Sequence, residues 1–207
     1  VSGPARPSYP AMDAGTMEEV GMCRMIAAAG AVAPRALRLA LRSMAANENP
    51  AYAHERRPAG AGFRHEDGWG AAWVEDGELR VLRRPESILE DPEAERRLDA
   101  IDARLLFLHA RRSSRGRRQL ENTHPFVASY IGRQWAFCHN GTIEDRSCLF
   151  RVPGILPAGG TDSERLFNHL LNRIGARFAG DLAAILELAV RDGLERLTDY
   201  TAAHCFL

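Results

Sequence analysis

Lysine is absent from this chain of 207 residues, so all 27 of its basic side chains are arginines. That absence excludes a Walker A phosphate loop, a pyridoxal-phosphate Schiff base and a Ser-Lys hydrolase, because each of these sites depends on a lysine. Net charge is also missing, since 27 acidic residues balance the arginines. A neutral chain has no global field that would attract nucleic acid or an anionic membrane.

Cysteine is scarce, and its four occurrences form no CxxC pair and no His/Cys cluster with zinc spacing. We therefore expect no metal site, no cofactor, and free thiols rather than disulfides. Residues 1–21 lack the apolar core of a signal peptide. No apolar run approaches the roughly 20 residues that span a bilayer. These absences predict a cytoplasmic protein without a membrane partner.

The sequence patterns typical of β-strands occur mostly as pairs of neighbouring segments that would form hairpins. A continuous apolar run over 105–109 predicts a buried strand that ends in an arginine-rich loop. Turn residues predict two hairpins elsewhere in the chain. Their strands are 69–74 with 78–83, which turn at Asp76-Gly77, and 126–131 with 134–139, which turn at Gly132-Arg133.

Helix signals flank these hairpins. The apolar spacing predicts helices over 34–44, about 161–174 and about 181–191, and Thr161 with Glu164 fits a capping box for the second. Residues 45–65 predict a long loop. Hairpins flanked by helices favour an α+β domain with antiparallel sheets over βαβ units. The length predicts one domain over 23–207, preceded by a disordered leader or propeptide over 1–22.

Six short islands carry more polarity than a fold requires. They are Met22-Cys23-Arg24, DGWG at 67–70, HARRSSRG at 109–116, ENTHPF at 121–126, HNGTI at 139–143 and GGTDSE at 159–164. In this order they resemble the class II glutamine amidotransferases, in particular the compact stand-alone branch whose chains begin Met-Cys-Arg. The resemblance implies the four-layer αββα fold of the N-terminal-nucleophile hydrolases. Catalytic domains of the family usually carry more sheet after this point, so the resemblance leaves open a truncation at the C-terminus.

Cys23 is the expected nucleophile. A lone cysteine before an apolar run is otherwise a small buried hydrophobe. The resemblance implies that removal of Met22 leaves Cys23 as the first residue, with a thiol and a free α-amine. An α-amine titrates near pH ~7.7 to 8.0, which suits a general base for the thiol. This mechanism requires either that the native chain start at Met22 or that a segment before Cys23 be cut away.

Asn140 and Gly141 are the expected oxyanion hole. An Asn-Gly pair is also typical of a type I′ turn. The resemblance of HNGTI to the family implies that the Asn140 amide and the Gly141 backbone N–H donate to the tetrahedral intermediate. Two neutral donors stabilise that charge without adding a competing nucleophile.

Recognition of an amino-acid head group requires one cation and one anion. Arg111 resembles the family arginine that binds the α-carboxylate, and Asp162 the carboxylate that binds the α-ammonium. The alternatives are a solvated basic face for Arg111 and a helix cap for Asp162. Ser114 and His124 match further positions that line the family's substrate pocket.

The expected activity is hydrolysis of glutamine or a γ-glutamyl amide, with a small-molecule substrate and no nucleic acid. The chain contains no synthase domain, so nitrogen transfer would require a separate synthase subunit. Two other functions are open. An inactive family member or fragment could serve as an interaction domain, and five arginines between 111 and 118 could bind phosphates in a nucleic-acid-binding module. The neutral charge and the lack of aromatics within that run argue against the second alternative.

Overall fold

The computed structural model describes residues 23–48, 64–113, 116–177, 181–200 and 204–207. The predicted leader, most of the predicted loop over 45–65 and the candidate residue Ser114 lie outside these ranges. The strands are β1 (Arg24–Ala29), β2 (Trp69–Glu75), β3 (Glu78–Arg84), β4 (Leu105–Ala110), β5 (Phe126–Tyr130), β6 (Arg133–Asn140) and β7 (His204–Phe206). The helices are α1 (Pro34–Ala45), α2 (Glu93–Leu98), α3 (Asp162–Gly175) and α4 (Leu182–Glu195).

The first sheet is antiparallel and has the strand order β1-β4-β2-β3. Strand β4 is central, as the apolar run over 105–109 predicts. Its side chains alternate between the two faces of the sheet. Leu106 and Leu108 are buried in a core that includes residues of α1 and α2, while Phe107 and His109 lie on the opposite face. Helices α1 and α2 therefore cover one face of this sheet.

The second sheet is antiparallel and has the order β5-β6-β7. Its apolar side chains Trp135 and Phe137 pack in a second core against α3 and α4. The stripe that the sequence predicts on α3, at the helical spacing of 166, 167, 170, 171 and 174, is buried in that core.

The two sheets face each other. Strands β1 and β3 contact β6, and the rings of Phe107 and Phe206 lie 5.5 Å apart across the interface. Each sheet has helices on its outer face, so the layers run helix, sheet, sheet, helix. This confirms the predicted α+β fold with a four-layer αββα arrangement of antiparallel sheets.

The element boundaries differ little from those predicted, with one instructive exception. The first hairpin turns at Asp76-Gly77, where φ is 53° and 79°, as predicted for a type I′ turn. The second turns one residue earlier than predicted, at Ile131-Gly132, with φ of 48° and 71°. Arg133 therefore belongs to β6 and pairs with Tyr130, so the predicted Gly132-Arg133 turn is wrong.

Candidate active site

Cys23 lies immediately before β1, on the first sheet. Pairing of β1 with β4 places Arg24 opposite Ala110, so Cys23 lies beside the segment that follows β4. Its thiol donates to the carbonyl oxygen of Arg112 across 3.6 Å. Burial raises the pKa of the Cys23 thiol to about 11, although the positive charge of Arg111 opposes the shift. The thiol is therefore protonated at neutral pH, and its attack on a carbon requires a base.

Asn140 ends β6, on the second sheet, and points at Cys23. The backbone nitrogen of Cys23 donates to Asn140 Oδ1 across 2.7 Å. Because the oxygen and nitrogen of a carboxamide point in different directions, this contact turns Asn140 Nδ2 away from the Cys23 nitrogen. The next residue, Gly141, lines the wall of the same site.

Arg111 is fixed by the DGWG segment. Its Nη2 donates to Ser113 Oγ across 2.8 Å, and the Asp67 carboxylate accepts from the Ser113 backbone N–H across 2.7 Å. Main-chain hydrogen bonds join Asp67 N to Arg111 O and Arg111 N to Gly68 O. Burial lowers the pKa of the Arg111 guanidinium, and the carboxylates of Asp67 and Asp162 oppose that shift. A buried arginine held in this way presents a fixed positive charge.

Asp162 is the first residue of α3, and it is not the helix cap. Thr161 is the N-cap, and its side chain accepts from the Glu164 backbone N–H across 3.2 Å. The Glu164 carboxylate binds the backbone N–H groups of Ala158 and Gly159, so only half of the predicted capping box forms. One Asp162 oxygen accepts from the Ile143 backbone N–H across 2.7 Å, which fixes the carboxylate beside the segment that follows β6.

These groups meet at one small cavity with about 30 Å³ of internal space. Arg111 supplies a cation and Asp162 an anion, and the Cys23 thiol lies in the same wall. Both charged residues are at least nine-tenths buried, so their interactions with a ligand would be only weakly screened by water. The wall is formed by Cys23, Arg111, Arg112, Ser113, His124, His139, Gly141, Thr161, Asp162 and Ser163.

The structure brings together most of the site residues predicted from the sequence. Cys23, Arg111, His124, Gly141 and Asp162 line the cavity, and Asn140 bonds to Cys23 beside it. Ser114 lies outside the described residues.

Sequence reasoning missed several polar groups of the site. Ser113 contacts Arg111, and His139 Nδ1 lies 2.9 Å from Ser163 Oγ in the cavity wall. All three stand within the polar islands, directly beside predicted residues. The only sequence signal for these three residues was their position in a polar island. No spacing rule identifies which residues of an island face the cavity.

The described ranges contain neither a metal-ligand cluster nor a membrane-spanning helix. No group of three or more His, Cys, Asp or Glu side chains there could hold a metal ion. None of the helices in those ranges is long and apolar enough to cross a membrane. None of the four cysteines, all of which lie in the described ranges, forms a disulfide bond.

Comparison with known proteins adds a family match. Residues 50–206 match the family described as class II glutamine amidotransferases. The matched range begins after Cys23 and β1, so the match itself contains the candidate oxyanion and head-group residues but not the candidate nucleophile.

Individual relatives agree with this match. YafJ of Escherichia coli, provisionally named a glutamine amidotransferase, is 34% identical over 59% of this chain and 49% of its own length. The crystal structure of a predicted glutamine amidotransferase from Pseudomonas aeruginosa is 29% identical, with a TM-score of 0.50 over 70% of this chain and 58% of that one. The allosteric regulatory enzyme of purine biosynthesis is 16% identical and shares the fold, with a TM-score of 0.58 over 83% of this chain and 33% of its own. This chain thus spans about half the length of YafJ.

Proposed function

Because the chain belongs to the class II glutamine amidotransferases, we propose that it hydrolyses the γ-amide of glutamine or a related γ-glutamyl compound through a thioester on Cys23. The observation that carries the proposal is the cavity where the Cys23 thiol lies between the buried cation of Arg111 and the buried anion of Asp162. A free amino acid is a zwitterion, and these two charges match its carboxylate and ammonium groups.

The first step is attack of the Cys23 sulfur on the amide carbon of the substrate. The thiol loses its proton, the C–S bond forms, and the carbonyl oxygen becomes an oxyanion. Asn140 Nδ2 and the Gly141 backbone N–H are the proposed donors to that oxyanion. When the C–N bond then breaks, the nitrogen takes a proton and leaves as ammonia or an amine, and a γ-glutamyl thioester remains on Cys23.

The proton of the thiol needs an acceptor, because the Cys23 pKa of about 11 leaves almost no thiolate at pH 7. We assign that role to the α-amine of Cys23 in a chain that begins at this residue. The Cys23 nitrogen lies 2.7 Å from Asn140 Oδ1, which would hold the amine beside its own thiol. An amine with a pKa of ~8 takes a proton and returns it to the leaving group at neutral pH.

Transfer of the released ammonia to an acceptor would need groups beyond this site. The purine-biosynthesis enzyme is matched over only 33% of its length, so most of that protein has no counterpart in this chain. Groups outside residues 1–207, such as those of a separate synthase subunit, would supply the acceptor chemistry. Hydrolysis is the activity that the residues of this cavity can perform by themselves.

The test is ammonia release by protein that begins at Cys23, with glutamine, a panel of γ-glutamyl amides, and asparagine as a substrate one methylene shorter. We expect ammonia release with at least one γ-glutamyl amide, little with asparagine, and a thioester adduct in the intact mass after rapid quenching. Cys23→Ala should fold normally and give neither product. Full activity in protein that retains residues 1–22 would contradict the role of the free amine, and turnover by Cys23→Ala would contradict the thioester.

A further inference from the structure

His124 is a buried imidazole held from several sides. It precedes β5, and its side chain is 3% exposed. Its ring lies 4.2 Å from the ring of His109 and 4.5 Å from that of Phe126, measured between centroids. Glycine at position 70 allows this packing, since a Cβ there would lie 2.1 Å from the His124 carbonyl oxygen. The imidazole is therefore fixed relative to the first sheet.

Neither ring nitrogen of His124 has a hydrogen-bond partner among the residues that the structure describes. Buried polar atoms are nearly always hydrogen-bonded, and one without a partner destabilises the folded protein. The side chain lines the Cys23 cavity, and a ligand in the cavity is the candidate partner. Burial, reinforced by neighbouring His109, His139 and Arg111, lowers the pKa of His124 well below its ordinary value. The ring is thus neutral, with one N–H donor and one acceptor nitrogen.

The cavity is large enough for water and polar enough to bind it. Its space of about 30 Å³ exceeds the roughly 10 to 15 Å³ that one water needs. Arg111 and Asp162 are already suited to the charged head group of the substrate, and a neutral ring is a poor third partner for a zwitterion. We propose that His124 binds and orients the water that hydrolyses the Cys23 thioester. This inference rests on the proposed function, and it assigns His124 to the water rather than to the glutamine.

The step balances without any further reactant. The acceptor nitrogen of His124 takes a hydrogen bond from the water, and the water oxygen attacks the thioester carbon. The new C–O bond forms, the C–S bond breaks, and the sulfur leaves with the electron pair. One proton of the water ends on that sulfur, which restores the thiol, and the acyl product leaves as glutamate. A neutral imidazole suits this role because an imidazolium has no lone pair to offer the water.

The experiment compares His124→Phe, which keeps an aromatic ring but removes both nitrogens, with His124→Gln, which keeps a donor and an acceptor. Three quantities are measured with the best γ-glutamyl amide: ammonia released in the first turnover, steady-state hydrolysis, and hydroxamate formed when hydroxylamine replaces water as the attacking nucleophile. We expect His124→Phe to keep the first-turnover rate, to lose steady-state hydrolysis by at least about 10-fold, and to accumulate thioester. Hydroxylamine should restore its turnover, and His124→Gln should recover part of the hydrolysis.

His109→Phe is the matched control, since His109 packs on His124 but is absent from the cavity wall. It should leave the ratio of hydrolysis to hydroxamate formation unchanged. His124→Leu makes the same test if phenylalanine disturbs the packing, as shown by thermal unfolding. Equal loss of acylation and hydrolysis, or a change in KM alone, would overturn the inference. If the wild-type protein forms no thioester, the proposed function fails instead, so the two failures are distinguishable.

Discussion

The Asn140 carboxamide is held at its oxygen end. Its oxygen accepts from the Cys23 nitrogen, which leaves the orientation of its amide nitrogen determined before any substrate binds. Donors oriented in advance cost no reorganisation when charge develops on the substrate. The contact thus prepares the amide for the proposed oxyanion.

Replacement of Asn140 by alanine should lower kcat by roughly 10²- to 10³-fold with little change in KM, because the donor engages the oxyanion much more strongly than the ground-state carbonyl. Asn140→Asp should be at least as harmful, since a carboxylate repels the developing charge. Steady-state kinetics measure both variants. Asn172→Ala is the control, because the Asn172 side chain, on α3, donates to the Arg151 carbonyl instead. A rise in KM alone would show that Asn140 only holds substrate.

Arg111 and Asp162 should each affect substrate binding rather than the chemical step. Loss of one charge-assisted contact costs roughly 1.5 to 3 kcal/mol, so Arg111→Ala and Asp162→Ala should raise KM by about 10- to 150-fold. Arg111→Lys should not restore binding, because a lysine lacks the planar fork that pairs with a carboxylate. Arg118→Ala is the matched control, as its exposed side chain donates to the Pro85 carbonyl. Normal KM values in both alanine variants would place the head group elsewhere.

The pH dependence separates two ways of activating Cys23. Its thiol pKa is raised to about 11, so it is protonated below that pH and ionises only above it. If the α-amine is the base, kcat/KM should rise through a pKa of ~8 and then level off. If the thiolate alone reacts, the rate should climb tenfold per pH unit up to about pH 11. A pH profile of kcat/KM between pH 6 and 10.5 decides between them.

At the scale of secondary-structure elements, the contact between α3 and α4 stabilises the outer helical layer of the second sheet. Leu170 is fully buried in that core, and a Cβ on Gly193 of α4 would lie 2.7 Å from its Cδ2 atom. Leu170→Ala should therefore lower the free energy of unfolding by about 2 to 5 kcal/mol. Leu188→Ala on α4, whose side chain is 53% exposed, should change it by less than about 0.5 kcal/mol. Denaturant unfolding measures both, and equal effects would mean that the α3 stripe is not core.

The elements themselves could be predicted because their signals are local. The alternation around Asp76-Gly77 and the apolar stripe of α3 depend only on neighbours in sequence. The shifted second turn shows the limit of such signals. It places Ile131 at positive φ, which a β-branched residue rarely adopts. The residue preferences of turns therefore predicted the turn one residue too late in the chain.

The site could be predicted only as separate islands. Motif resemblance selected Cys23, Arg111 and Asp162, which the structure places at one cavity. The contacts that hold them join distant residues, such as the Asp67 carboxylate and the Ser113 N–H, 46 positions apart. Pairs of this kind depend on how the strands align, and no local pattern in the sequence reveals them. The packing of His124 on His109 was missed for the same reason.

At the scale of the whole molecule, the cavity exists only where the two sheets meet. Cys23 and Arg111 belong to the first sheet, while Asn140 and Gly141 extend from the second, and Asp162 begins a helix that covers it. The hydrogen bond from Cys23 to Asn140 crosses between the sheets and joins two residues that are 117 positions apart in the sequence. Neither sheet with its helices carries a complete set of the proposed catalytic and binding groups.

Burial of Cys23 also makes its thiol a reporter of how often the cavity opens. In the closed form Cys23 is 9% exposed and its thiol is protonated, whereas an opened form would expose a thiol with an ordinary pKa. Under fast reclosing, its labelling rate by a small alkylating reagent gives the population of molecules in which the cavity is open to that reagent. Cys138 of β6 is fully buried and serves as the internal reference. Equal protection of the two thiols would mean that the molecule opens as one cooperative unit, and weaker protection of Cys23 would measure a local breathing motion of the cavity.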